Sequence, residues 1–203
     1  MSTTETDPLP RWSVADVHEG LDARSFVDAM ERIGAGAGRL VALFDEHDVR
    51  AIDTRPVTAA DGAAADAVIG AYNTFSEEFN ELGAVVYSTI ATDSRHEHAQ
   101  ALASQLDVHE AKIGPLVARL ADWVHALGVD ELATVSSEVA EHQGPLARLD
   151  ERAGHQMTEA EEGLYAELAT TGSGAWGRLH SDITSQLTTK VRFPGGRTET
   201  MPM

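Results

Sequence analysis

Four long stretches of the chain place apolar residues at alternating steps of three and four, the spacing that lines up one face of an α-helix. The first covers about Asp22 to His47, with Phe26, Met30, Ile33, Ala37, Leu40 and Phe44 on its seam. The second starts after Thr58, a natural N-cap, and runs to about Thr89 with Ile69, Tyr72, Phe75, Phe79, Leu82, Val86 and Ile90 in register. Asp93-Ser94 interrupts, and a third helix then carries Leu102, Leu106, His109, Ile113, Leu116, Leu120, Val124 and Leu127, with Gly128 placed to end it. A loop or short turn at 129–133 precedes a fourth, about Thr134 to Ala153, through Val135, Val139, His142, Leu146 and Leu149. Pro115 and Pro145 fall inside the last two patterns, where the missing N–H predicts a kink.

Three shorter elements follow. Thr158-Glu159-Ala160-Glu161 forms a capping box for a fifth helix reaching about Ala169. After the turn cluster Thr171 to Gly174, Trp176, Leu179, Ile183 and Leu187 define a sixth, with Ser173 as its N-cap and Trp176 keyed inward against the other helices. Beyond Thr188 the period drops to two. Lys190 to Phe193 and Arg197 to Met201, around Pro194-Gly195-Gly196, predict a β-hairpin. Two strands alone are marginal, so this hairpin needs helices or further sequence to pack on. The expected fold is all-α: a bundle of about six helices, several long and antiparallel, with a short β-hairpin at the C-terminus. Residues 1–8 are small, polar and acidic and predict a disordered tail, and 9–203 form one helical lobe in which 113–188 is a candidate subdomain.

Composition narrows the setting. Hydrophobic residues at 42% of 203 suffice for a core, while aromatics at 5% leave most of the packing to aliphatic side chains. With no cysteine, disulfides and thiolate metal sites are excluded. The N-terminus lacks the basic start and apolar core of a signal peptide, and no apolar run approaches the roughly 18 residues of a membrane span, so a cytoplasmic location is expected. A net charge of −18 argues against nucleic acid, whose phosphates it would repel. The 13 arginines against Lys112 and Lys190 fit either GC-rich codon usage or salt adaptation; both concern solubility rather than mechanism.

Candidate chemistry is sparse. His96-x-His98, beside Glu97, offers two ligands near a helix start where zinc needs about four. Asp93-x-x-His96 and Asp122-x-x-His125 are the nearest approach to the Glu-x-x-His pairs of di-iron bundles, and no clean match exists. His109 and His142 lie on apolar seams, as core histidines with their hydrogen bonds satisfied do. Gly34-Ala35-Gly36-Ala37-Gly38 lacks the lysine and the preceding strand of a phosphate loop, which leaves a close helix contact, a hinge or a weakened but packed helix. Gly172-Ser173-Gly174 fits a helix start better than a nucleophile or phosphate site. No catalytic, cofactor-binding or metal-binding residue is assigned. A long acidic bundle is also suited to docking another protein.

Three segments carry a family resemblance. Thr171-Gly172-Ser173-Gly174-Ala175-Trp176, then Arg178-Leu179 and Ile183-Thr184-Ser185-Gln186-Leu187-Thr188, resembles a motif of the oligoendopeptidase F family of zinc metallopeptidases. Leu9-Pro10-Arg11-Trp12, then Asp16-Val17 and Gly20-Leu21, is similar to that family's N-terminal motif. Glu199-Thr200-Met201-Pro202-Met203 is similar to its Glu-Thr-Leu-Pro-Met segment. The three occur in order and span nearly the whole chain.

The resemblance implies a zinc-dependent peptidase of short peptides whose helical lobe walls a channel and admits unfolded peptides only. It places the metal on a His-Glu-x-x-His helix well beyond the last motif. Here the histidine-glutamate pairs His18-Glu19, His96-Glu97 and His109-Glu110 are followed three residues later by Asp22, Gln100 and Ile113, so that motif is missing. The expectation is a non-catalytic N-terminal lobe, inactive alone, with zinc belonging to a catalytic domain absent from this chain. Its partners would be that domain and, in the full-length protein, short peptide substrates. The alternative is a free-standing α-helical interaction module, or a truncated, inactive gene product.

Overall fold

The computed structural model describes residues 13–153, 155, 157 and 159–202. Leu9 to Trp12, the expected tail at 1–8, Thr158 of the capping box and Met203 of the last motif lie outside the described residues. Three long helices form the body: α1 (Arg24–Glu46), α2 (Ala59–Thr92) and α3 (Glu97–Leu127). They pack on one another in all three pairings. The seams read from the sequence meet in the middle, with Phe26, Ile33, Phe44, Leu82, Val86, Leu106, Leu116 and Val124 among the most buried side chains. Trp123, one step off the α3 seam, joins this core at 2% exposure. α3 continues through Pro115 and stops at Gly128, whose φ of 81° suits a residue without a Cβ.

The single fourth helix expected over Thr134 to Ala153 is corrected to two. A one-turn helix α4 (Val129–Ala133) replaces the expected loop, and α5 (Ser137–Glu141) and α6 (Gln143–Ala153) then follow, parted at His142. Ser136 caps α5 by accepting the Val139 N–H at 3.1 Å. The break accommodates Pro145, which falls in the first turn of α6, where no intrahelical N–H bond is needed. α7 (Glu159–Thr171) and α8 (Ser173–Gln186) lead to strands β1 (Thr188–Arg192) and β2 (Thr198–Pro202). The strands pair antiparallel, Thr188 opposite Pro202 and Arg192 opposite Thr198, about glycines 195 and 196 at positive φ. The architecture is therefore an α-helical bundle with several long helices and a C-terminal two-stranded hairpin. Residue 113 lies within the continuous α3.

α2 is pinned at its start. Thr58 and Asp61 form a reciprocal capping box, and Arg55 grips the Asp61 carboxylate in a fork at 2.7 and 2.8 Å. One turn on, Asp66 accepts Ser136 Oγ at 2.6 Å and the Glu138 N–H at 3.0 Å, tying α2 to α5. The Arg55 hydrogen bonds hold Asp61 well below the usual carboxylate range, and Ser136 foremost lowers Asp66. Both carboxylates titrate lower when folded than when unfolded. Their stabilisation is thus complete above the unfolded pKa of about 3.9 and is lost as the pH falls through the folded values. Asp61→Asn is expected to destabilise the protein at neutral pH and to flatten its acid-unfolding curve below about pH 4. An unchanged acid limb would contradict this assignment.

Candidate functional site

The helices are layered outward from α3: α7 packs on α3, α8 packs on α7 and, among the described residues, no helix packs broadly across the hairpin. The motif Thr171 to Thr188 builds the joint at the centre of this layer. α7 runs directly into α8 with Gly172 alone between them. Gly172 donates its N–H to Leu168 O at 2.7 Å, and a Cβ there would lie 2.8 Å from the same carbonyl oxygen. Only glycine makes that approach without shifting backbone. Gly172 is consequently the N-cap of α8; Ser173 is already the first helical residue and makes no capping bond, which corrects the expected cap. Arg178 closes the joint by donating from Nη2 to Thr170 O at 2.9 Å.

The same arginine reaches the bundle. Its Nη1 lies 3.7 Å from Asp107 Oδ2 on α3, and Asp107 accepts the Tyr87 hydroxyl of α2 at 3.2 Å. Burial first, and the nearby Asp107 charge second, push the Tyr87 phenol upward. Clefts of about 490 and 770 Å³ flank this Arg178–Asp107 link. Gly174, Gly177 and Ser181 of α8 line the first cleft opposite Ala103 and Ser104 of α3. α8 therefore turns its smallest side chains to the bundle.

Its apolar stripe points the other way. Trp176 is 71% exposed, and Leu179, Ile183 and Leu187 are about half exposed. The expected inward anchor is thus overturned: Trp123 is the core tryptophan and Trp176 is a surface residue. Leu164, Tyr165 and Leu168 of α7 are likewise uncovered. Helical periodicity showed that α8 has two unlike faces; it carried no information about which one meets α3.

Four of the histidines, His96, His98, His125 and His142, are occupied individually. His96 accepts the Ala99 N–H at 3.2 Å as the α3 cap, and His98 stands 3.4 Å from Asp22. His125 pairs with Asp150 at 2.6 Å. His142 bonds the Glu138 carbonyl at 2.9 Å and the Asn73 amide at 3.3 Å. His109 packs against Gly34 with its buried Nδ1 lacking a hydrogen-bond partner among the described residues, which corrects the expected satisfied core histidine, and burial followed by the Lys112 charge lowers its pKa. Gly36 meets Phe75 of α2, on a different helix from His109, whereas Gly38 faces open space. Among the described residues no three potential metal ligands converge.

His18 had no signal in the periodic pattern, yet it is buried at 7% exposure. Its Nδ1 lies 3.1 Å from Ser25 Oγ and its ring meets Phe26 edge-on. Nε2 is within 3.3 Å of Glu81, in ion-pair reach but out of line for a hydrogen bond. This histidine fastens the segment before α1 onto α1 and α2. What the arrangement as a whole presents is an uncovered apolar helix hairpin, two clefts and an outlying β-hairpin. Among the described residues, no helix is long and apolar enough to cross a membrane. No family model matches the chain, and no curated protein or solved structure matches it either.

Proposed function

We propose that this chain is the N-terminal, non-catalytic helical lobe of a cytoplasmic zinc-dependent oligoendopeptidase that hydrolyses short peptides, and that the lobe shapes the channel by which they enter. The observation that carries the reading is how the Thr171 to Thr188 motif is used. Gly172 and Arg178 are the residues that hold the α7–α8 joint. They are motif positions with a physical reason to be glycine and arginine, in a chain whose other two motif segments fall in the family's order. Among the described residues no cluster of side chains fits zinc, and no step of hydrolysis is assigned to them. The metal belongs, on this reading, to the catalytic domain. A helical wall contributes by exclusion, because a narrow channel admits an extended peptide and rejects a folded domain.

The test is peptide cleavage. Supplied with zinc and a quenched fluorescent peptide, the 203-residue chain is expected to give no chelator-sensitive cleavage. A longer product of the same gene, carrying His-Glu-x-x-His, is expected to cleave it. A source gene with no such motif after Met203, or a longer product without activity, would end the reading.

A second reading is favoured by a specific observation, the exposed face of α8. An amphipathic helix that turns Trp176, Leu179 and Ile183 to solvent is what an interaction module presents to a partner.

A further inference from the structure

The large apolar side chains left exposed are unevenly distributed. Among the described residues, nine of the fifteen lie from Met157 onward, on or beside α7, α8 and β2; three lie before or at the start of α1 (Val14, Val17 and Val27), and Tyr87, Val108 and Val135 make up the rest. Charge divides along the same line. The unit from Ser173 to Pro202 holds Arg178, Lys190, Arg192 and Arg197 against Asp182 and Glu199, a net +2 in a chain of −18, so the remainder carries −20. The strand register puts Lys190 and Arg192 on one face of the hairpin, with Thr198 and Thr200 opposite them.

The region around Val14 to Glu31 is the complement of that unit. It holds Asp16, Glu19, Asp22, Asp28 and Glu31 against Arg24 alone. Beside it a groove of about 390 Å³ is floored by Phe26, Met30 and Leu102, with Asp22 and Glu31 on its lining. Among the described residues, neither α8 nor the hairpin packs broadly on α1 within one chain. One molecule thus presents an apolar, basic projection and an apolar, acidic groove, both uncovered.

We infer that the occupant of the α8–hairpin face is a second copy of this chain, its projection seated on the acidic groove along α1. The inference rests on the interaction-module reading. Summed over α7 and α8, the uncovered apolar side chains expose on the order of 800 Å², comparable with what each partner brings to a standard interface. The two patches are different surfaces, so a single contact of this kind is heterologous. Reciprocal exchange between two copies closes it, uses both patches twice and leaves none open for a third molecule. Opposite charges across it set the pairing, since basic hairpin against basic hairpin and acidic groove against acidic groove both repel.

The experiment is sedimentation equilibrium of the purified chain up to roughly 200 μM, where even a modest affinity registers. Ionic strength is held fixed, because salt screens both the attraction between patches and the repulsion between acidic bundles. A closed dimer is expected. Trp176→Ala with Ile183→Asp is expected to give monomers, and Lys190→Glu with Arg192→Glu to weaken association by about tenfold or more. Glu19→Lys with Glu31→Lys is expected to do the same, and mixing the two charge-reversed proteins to restore the dimer. All these positions are exposed, so at a dilution where wild type is itself monomeric the variants should melt with it, which excludes unfolding as the cause. A monomer at every concentration overturns the proposal, as does a dimer that survives all three variants or a mixture that fails to reassociate. An unrelated acidic partner would give the monomer. Peptide cleavage by a longer gene product is read separately, and loss of one result leaves the other standing.

Discussion

Trp123→Ala is expected to lower stability by about 3–5 kcal/mol, the usual cost of emptying a buried tryptophan site. Trp176→Ala is expected to stay within about 0.5 kcal/mol of wild type, as substitutions at exposed positions do. The contrast follows from burial alone: Trp123 is closed in by α3's neighbours, whereas Trp176 is largely in water. The Trp123 loss is a large share of the roughly 5–15 kcal/mol that holds a domain together, so its midpoint in urea should fall far below that of the Trp176 variant. Equal midpoints for the two variants would show that α8 packs inward after all. The pair also separates folding from binding, because Trp176→Ala keeps a folded chain while removing the largest apolar group of its uncovered face.

The long helices were readable because each buries a seam that repeats at the helical period and ends at a recognisable cap. Thr58 and Gly128 were both identifiable as boundaries, and both act as such. The hairpin was equally legible from the change of period around Pro194-Gly195-Gly196. The split of the expected fourth helix was not, because its apolar spacing continues in phase across His142. The start of α5 was hidden as well, because it is set by a tertiary bond: Ser136 Oγ donates to Asp66, seventy residues away in sequence, while accepting the α5 cap. A proline at position 145 signalled an interruption but not its place.

The candidate site was legible only in part. Gly172 and Arg178 were singled out as motif residues, and their joint was not foreseeable from spacing. Tyr87 and Asp107 meet Arg178 through packing of α2, α3 and α8, and neither stands out along the chain. His18 lies in an irregular segment with no period to betray its burial. The orientation of α8 was the costliest omission. A stripe of Gly174, Gly177 and Ser181 is as regular as the stripe of Trp176, Leu179 and Ile183. Hydrophobicity favours burying the second, but α8 is held by Arg178 at the joint and by α7, and those attachments set its rotation.

Gly62→Ala is expected to destabilise the protein by about 3 kcal/mol, the upper end for forcing extra volume into a packed contact. Gly62 lies in the second turn of α2, on the face that continues through Asp66 and Asn73 to meet α5. A Cβ built there falls 2.1 Å from the carbonyl oxygen of Val135 and 2.7 Å from its carbon. Those atoms are backbone, in the connection between α4 and α5, and no rotamer change can move them aside. Relief requires α2 and the connection to separate, which would also lengthen the Ser136–Asp66 hydrogen bond one turn along. Helix propensity works in the opposite direction, since alanine is better than glycine in a helix interior by about 1 kcal/mol. Gly38→Ala isolates that term, because its Cβ would enter open space on the exposed side of α1. The two substitutions are chemically identical and are expected to move the thermal midpoint in opposite directions, Gly38→Ala upward and Gly62→Ala sharply downward. A Gly62→Ala protein as stable as the Gly38→Ala protein would mean that α2 does not approach the α4–α5 connection this closely.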